Sequence, residues 1–363
     1  MKILYVITST DVGGAENALV QLVRASSGKH QIRVVCLKEL GPQSSALKHL
    51  GAQVVSLHMK GAGLGTVTKL VRELEIFQPD LVHAILFRAI EFTRLACAGR
   101  NIKLITTPHF DLSQKPLWMR WLDRALKTID TVSTAESAST YNYLTLHQHY
   151  PPSKTLFIGN SVEKSLFFKD NSLRNQMRQQ KGFKPEDIVF VSVARLAYVK
   201  NPQGLIKAFA QIVPHCPHAK LVLVGDGVER PALEKQINEL KLTEKICLAG
   251  EQQDVNGWLN MADVFVLLSR EESLPLALLE AQQVGLPCVV SPVGDMPKYV
   301  EHGQTGYVCK PDQPTLVACF LTELYTNAEL RREMGEKAYQ KASQQVDACQ
   351  QYQQLYQRLV TKS

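Results

Sequence analysis

No uninterrupted apolar run in this 363-residue chain approaches the roughly 18 residues that a bilayer-spanning helix needs, which excludes that class of membrane protein. The first residues, Met1–Asn17, hold a brief apolar run without a small-residue cleavage site, so the run reads as a buried strand and not as a signal peptide. The 8 cysteines (Cys36, Cys97, Cys216, Cys247, Cys288, Cys309, Cys319, Cys349) are scattered, with no CxxC pair. Several lie in apolar strands, where a reduced thiol acts as a small hydrophobe, so neither a zinc site nor a disulfide framework is expected and the chain reads as cytoplasmic. Aromatic residues are scarce at 7%, and the basic residues are spread along the chain. A nucleic-acid surface needs the reverse, basic residues clustered with interleaved aromatics. GxGxxG is absent, which argues against a dinucleotide dehydrogenase. No DxD-type acidic motif stands at a strand end to hold a divalent metal, and there is no internal repeat or low-complexity segment.

What is present is the composition of a globular protein, 45% hydrophobic and 21% charged, at a length that suits two domains. The formal charge of +7 and a pI near 8.9 fit anionic substrates or contact with an anionic membrane surface. Short apolar runs alternate with helical patterns. In the first half the runs are Lys2–Ile7, Ile32–Leu37, Gln53–Leu57, Leu81–Leu86, Lys103–Thr107, Thr131–Ser133 and Thr155–Ile158. In the second they are Ile188–Val193, Leu221–Val224, Ile246–Leu248, Val264–Leu268, Cys288–Val290 and Tyr307–Cys309. Strands apolar on both sides and separated by helices mean parallel sheets covered on both faces. Two such sets predict an α/β protein of two doubly wound, Rossmann-like domains, with ligands at the carboxyl ends of the strands in the cleft between them.

The most informative stretch is Ser269–Val290, SREESLPLALLEAQQVGLPCVV. It reads as a strand end, a polar loop, a helix and the next strand. Pro275 suits a first helical turn, and Gly285 followed by Pro287 is a stop. Glu272 stands just before the helix and Glu280 eight residues later, a little over two turns down the axis. A helix N-terminus attracts anions, and a carboxylate on its side can accept two hydrogen bonds from a vicinal diol such as a ribose offers.

This Glu-x7-Glu element, followed by AQQVGLPCVV, resembles that of the retaining nucleotide-sugar-dependent glycosyltransferases of the GT-B fold, in glycosyltransferase family 4. Further segments continue the resemblance in family order. Gly13-Gly14 before a helix resembles the family's Gly-rich loop; read by itself it is a ligand loop or a tight strand-to-helix turn. Asp80-Leu81-Val82-His83-Ala84 and Lys103–His109 resemble two strands whose histidines end at the cleft; a lone strand-end histidine such as His83 is more often structural, and the His109 strand is the stronger match. Arg195-x4-Lys200 resembles the diphosphate clamp, whose fixed cations stabilise the charge that builds as a nucleoside diphosphate departs. Gly225-Asp226-Gly227 resembles the Gly-x-Gly turn near the nucleotide, and Met261-Ala262-Asp263 a helix-to-strand step in which Asp263 caps. The chain departs from the family where Ser273 and Leu274 replace glycine-containing positions, where Asp295 replaces a glycine, and where Lys298 replaces a glutamate.

The resemblance implies a hexosyltransferase with an acceptor-binding domain over residues 1–163, a donor-binding domain over 164–345, and a terminal helix, 346–363, crossing back to the first. It implies that Glu280 holds the ribose and that Arg195 and Lys200 hold the diphosphate of a UDP- or GDP-sugar. Glu272 and His109 would position the sugar, with the backbone of Ser273 and Leu274 near its ring. Gly14, Gly225 and Gly227 would lie against the donor, and Gly13 and His83 against the acceptor, a glycan or lipid-linked hydroxyl. No metal or other cofactor is expected. A pseudoenzyme or a nucleotide-sugar epimerase of the same fold are the alternatives. The basic segment Lys115–Lys127, with Trp118 and Trp121, suits either a membrane interface or a packed helix.

Overall fold

The computed structural model describes residues 1–61, 63, 65–109 and 116–361. It divides into two compact units, Met1–Ser161 with Val346–Ser363, and Val162–Gln345.

Among the described residues the first unit has seven strands: β1 (Lys2–Ile7), β2 (Gln31–Cys36), β3 (Gln53–Ser56), β4 (Leu81–Ile85), β5 (Lys103–Thr107), β6 (Val132–Ala135) and β7 (Thr155–Phe157). They pair in parallel in the order β3-β2-β1-β4-β5-β6-β7. Alternation along β1 explains why the run is apolar throughout. Ile3, Tyr5 and Ile7 face one layer, with Leu19 and Val23 of helix Gly14–Ser26 and with Tyr352, Leu355 and Tyr356 of helix Ala348–Thr361. Leu4 and Val6 face the other layer, with Leu70 and Leu74 of helix Thr66–Phe77 and Ile90 of helix Phe87–Cys97.

The second unit repeats the plan with β8 (Ile188–Val193), β9 (Ala219–Val224), β10 (Ile246–Gly250), β11 (Val264–Leu267), β12 (Cys288–Val290) and β13 (Gly306–Val308), ordered β10-β9-β8-β11-β12-β13. In each unit the strand order reverses beside the first strand, at β1/β4 and at β8/β11, which opens a crevice at the carboxyl ends there.

Strand positions follow the sequence expectation, with ends moved by a residue or two. Leu86, expected within β4, instead has φ +74 and precedes helix Phe87–Cys97. Asp263 caps no helix: its carboxylate pairs with Arg174 at 2.7 Å and Arg178 at 3.3 Å and accepts the Val189 N–H at 2.7 Å. The helix after the polar loop runs Leu276–Val284, with Pro275 just before it, and is buried nearly all round. Gly285 ends it at φ +86. A Cβ on Gly335 would lie 2.2 Å from the Gly285 carbonyl oxygen, so the backbones of two helices meet where only glycine fits.

Candidate active site

In the second unit the functional candidates gather on both sides of the β8/β11 reversal. Past β8, the Ala194 N–H donates to the Val224 carbonyl (3.0 Å), the Leu196 N–H to that of Asp226 (2.9 Å), and the Glu229 N–H to that of Leu196 (3.0 Å). The Gly225–Gly227 turn therefore lies against the segment that carries Arg195. A Cβ on Gly225, at φ +128, would sit 2.1 Å from the Ala194 oxygen, and one on Gly227 2.4 Å from the Leu196 oxygen. These two glycines are required by the protein's own backbone, which packs the turn against the segment that carries Arg195. Arg195 itself is exposed, with no ion pair among the described residues.

Lys200 closes a short turn, Tyr198–Lys200, before Asn201 at φ +53 and helix Pro202–Ile212. Its ammonium pairs with the Glu272 carboxylate, which also accepts the Ser269 hydroxyl at 3.0 Å. Only 10% of the Glu272 side chain is exposed, so the pair is largely shielded from water. The loop departs from glycine at Ser273 and Leu274 without strain: neither residue has positive φ, and the Leu274 side chain is buried. The close approach falls instead on Gly294, at φ +56, whose Cβ would lie 2.3 Å from the carbonyl oxygens of both Glu272 and Ser273. Next to it the buried Asp295 donates its N–H to the Ser273 oxygen at 2.8 Å and pairs with Lys298 at 2.9 Å. The segment Gly294–Asp295 thus braces the loop through its backbone.

Glu280, on helix Leu276–Val284, is 6% exposed and has no hydrogen bond or ion pair among the described residues. Burial pushes its carboxyl up to about 7. A buried carboxyl without a partner is unfavourable for folding, which makes it a candidate for ligand contact.

In the first unit, Gly13 precedes helix Gly14–Ser26 in extended conformation. A Cβ on Gly14 would meet nothing within 4 Å, so packing within the chain does not require glycine there. His109 follows β5 at φ +52 and is half-buried. Burial lowers its pKa, and the Glu136 carboxylate opposes that. Glu136, missed in the sequence, follows β6; pairing of Thr106 with Ser133 runs the two strands in step, so both residues lie three positions further on. That register is the only signal that could have found it, and it is not visible before the strands are paired.

His83 lies elsewhere. It is fully buried, sharing a 2.7 Å hydrogen bond through Nδ1 with the Tyr356 hydroxyl and another of 2.7 Å through Nε2 with the Thr107 hydroxyl. Burial lowers its pKa to about 3, with His109 adding to the effect. With both nitrogens engaged inside the core it offers nothing to an acceptor, and its role is to tie helix Ala348–Thr361 to β4 and β5. Among the described residues no group of three or more His, Cys, Asp and Glu is placed to hold a metal ion, and no helix is long and apolar enough to cross a membrane.

Two doubly wound parallel sheets, one carrying a cation pair and a spaced pair of glutamates at its strand reversal, define the class: a GT-B glycosyltransferase. The family described as Glycosyltransferase Family 4 matches residues 12–166, and that described as Glycosyl transferases group 1 matches residues 174–341. The N-acetyl-alpha-D-glucosaminyl L-malate synthase of Bacillus anthracis is 32% identical over 266 residues, covering 71% of this chain and 68% of that protein. An Escherichia coli UDP-Gal:alpha-D-GlcNAc-diphosphoundecaprenol alpha-1,3-galactosyltransferase is 35% identical over 143 residues, 39% of this chain and 37% of the other. Anabaena HepE, solved in complex with UDP-glucose, superposes with a TM-score of 0.86 at 22% identity, covering 99% of this chain and 100% of that one. The chain belongs to glycosyltransferase family 4, and it is an enzyme acting on nucleotide sugars.

Proposed function

We propose that the chain transfers a hexosyl group, with retention of configuration, from a nucleoside-diphosphate sugar to an acceptor hydroxyl. The observation that carries this reading is Glu280: a buried carboxyl with no partner, eight residues after a glutamate paired to Lys200. Its two oxygens suit the vicinal hydroxyls of a ribose. Arg195 and Lys200 supply fixed positive charge for the diphosphate, and they do so without a divalent metal. When donor arrives, Lys200 is shared between Glu272 and the phosphate, which frees a Glu272 oxygen for a sugar hydroxyl. His109, kept neutral by burial, is a hydrogen-bonding partner for another sugar hydroxyl. Gly14, at a helix N-terminus with open space before it, lets phosphate approach.

The reaction is front-face displacement. The bond from the anomeric carbon to the phosphate oxygen breaks as the acceptor oxygen bonds to that carbon, and the acceptor's proton passes to the departing phosphate. A separate protein base is then unnecessary. Uracil is the first candidate base, since UDP-linked ligands occur in the names of the Anabaena and E. coli relatives. The E. coli name also supports a lipid-linked diphosphate glycan as acceptor. In this reading the first unit receives the acceptor and the second the donor.

The test is a thermal-shift panel of UDP, GDP and ADP and their sugars, with and without magnesium, on the wild type and Lys200→Ala. We expect one nucleotide to raise the melting temperature without magnesium and to lose that effect in the variant, because ligand binding stabilises the folded state by mass action. No shift with any of them overturns the reading.

A further inference from the structure

Helix Leu117–Leu126 carries apolar residues on both sides, and its largest ones face outward. Lys115, where the sequence begins this basic segment, lies outside the described residues. Of the ten helical residues only Asp123 is fully buried. The 3.6-residue period sets Met119, Leu122 and Leu126, all half-buried, on the same side as Asp123. Leu117, Trp118, Trp121 and Ala125 fall on the opposite side, and the first three are 68%, 61% and 68% exposed. Arg120 and Arg124 border that face. They also join it to the turn Tyr143–His147: Arg124 donates to the His147 carbonyl at 2.7 Å, and Arg120 lies over the Tyr143 ring at 5.8 Å. That turn adds Leu146, 67% exposed.

The orientation is locked from below. Asp123 pairs at 2.8 Å with Arg94, a fully buried guanidinium, and accepts the Tyr150 hydroxyl at 2.6 Å. Arg94 is held in turn by Asp130 at 2.6 Å and Glu91 at 2.8 Å. Rolling the helix to bury the tryptophans would pull Asp123 away from Arg94 and leave buried charges unpaired, which folding strongly resists. The protein thus holds Leu117, Trp118 and Trp121 in water by means of a buried ionic network.

We propose that this face is a docking surface for an anionic lipid bilayer, on which the helix lies in the plane of the interface. Tryptophan and leucine enter the boundary between headgroups and acyl chains, and arginines at the margin meet acidic headgroups, the arrangement that suits an amphipathic surface helix. The chain's net charge of +7 adds long-range attraction. Ten residues are too few to span, so the helix rests on the surface. It begins eight residues after His109, beyond the carboxyl end of β5. Lipid docking deepens the lipid-linked acceptor reading by naming the surface, and its test requires no turnover.

The experiment is co-sedimentation of the full chain with phosphatidylcholine vesicles, with and without phosphatidylglycerol, together with tryptophan emission. Trp258 is the third tryptophan and is buried, so a lipid-dependent blue shift reports on Trp118 and Trp121. We expect binding and a blue shift on the anionic vesicles, weakened by salt. We expect at least a tenfold loss (about that order) of partition in Trp118→Ala plus Trp121→Ala, and a comparable loss in Arg120→Gln plus Arg124→Gln. An unchanged nucleotide-induced melting shift in the tryptophan variant shows that the fold and donor site are intact. Failure of the donor reading would remove that shift in the wild type and leave vesicle binding untouched. Equal binding to neutral vesicles, or binding unaltered in both variants, overturns the proposal. So does a wild-type dimer that the tryptophan variant loses while neither protein binds vesicles, which would make the face a homotypic interface.

Discussion

Replacing Glu280 by glutamine should stabilise the ligand-free protein above neutral pH while impairing nucleotide binding. The carboxyl ionises at 4.5 when unfolded and at about 7 in the fold, raised by burial alone. An acid with a raised folded value costs the native state nothing while protonated and penalises it once ionised. Below pH 4.5 the group is protonated in both states and is neutral towards folding. Between 4.5 and 7 the unfolded chain releases its proton while the native state retains it, so stability falls as pH rises. Above 7 the full penalty is present, at most about 3 kcal/mol for a shift of this size. For a unit of this length that corresponds to roughly 5–10 °C in melting temperature. Glu280→Gln abolishes this pH dependence. Calorimetric scans from pH 4.5 to 8 should therefore show the variant's advantage growing with pH, whatever constant offset the amide introduces. With saturating UDP the variant's advantage should shrink by about 1–3 kcal/mol, since losing charged hydrogen bonds to a ribose weakens affinity about ten- to a hundredfold. A stability difference that is flat with pH, or an unaltered UDP shift, would show that Glu280 is neither an unpaired charge nor a ribose ligand.

The glycines divide by the same reasoning. Gly225→Ala places a Cβ 2.1 Å from the Ala194 oxygen at φ +128 and should lower the urea midpoint by the equivalent of a few kcal/mol, whereas Gly14→Ala, with open space, should leave the midpoint unchanged and lower turnover. Lys200→Met leaves Glu272 largely buried without its cation and removes a diphosphate donor; a fall in kcat of about 10²–10³ is expected in a radiolabelled transfer assay, with the pair's contribution read against Glu272→Gln. Arg94→Met strands Asp123, Asp130 and Glu91, and urea unfolding should show a loss of about 3–5 kcal/mol.

The chain order alone reveals both doubly wound sheets, because each strand and each turn is written within a few consecutive residues. Residues 2–7 are apolar throughout because both faces of β1 are covered, and Gly285 marks the helix end because that turn needs positive φ. The spacing of Glu272 and Glu280, and of Arg195 and Lys200, is likewise local. What tertiary structure decided is how each polar group is satisfied. His83 looks like a site residue until Tyr356, 273 positions away, takes one of its nitrogens. Gly225 and Gly227 read in sequence as glycines of a ligand turn, and only the fold shows that the backbone of Ala194–Leu196 also requires them. Ser273 and Leu274 look like a broken loop until Gly294 and Asp295 are seen bracing it from another strand end. Trp118 and Trp121 read as core or interface with equal ease, and the decision rests with Arg94, which holds Asp123 on the inner side of their helix. Periodicity and turn chemistry act over a few residues and are legible in order. The pairing of buried charges and hydrogen-bonding groups is settled by contacts between residues far apart in the chain, and only the folded molecule brings those together.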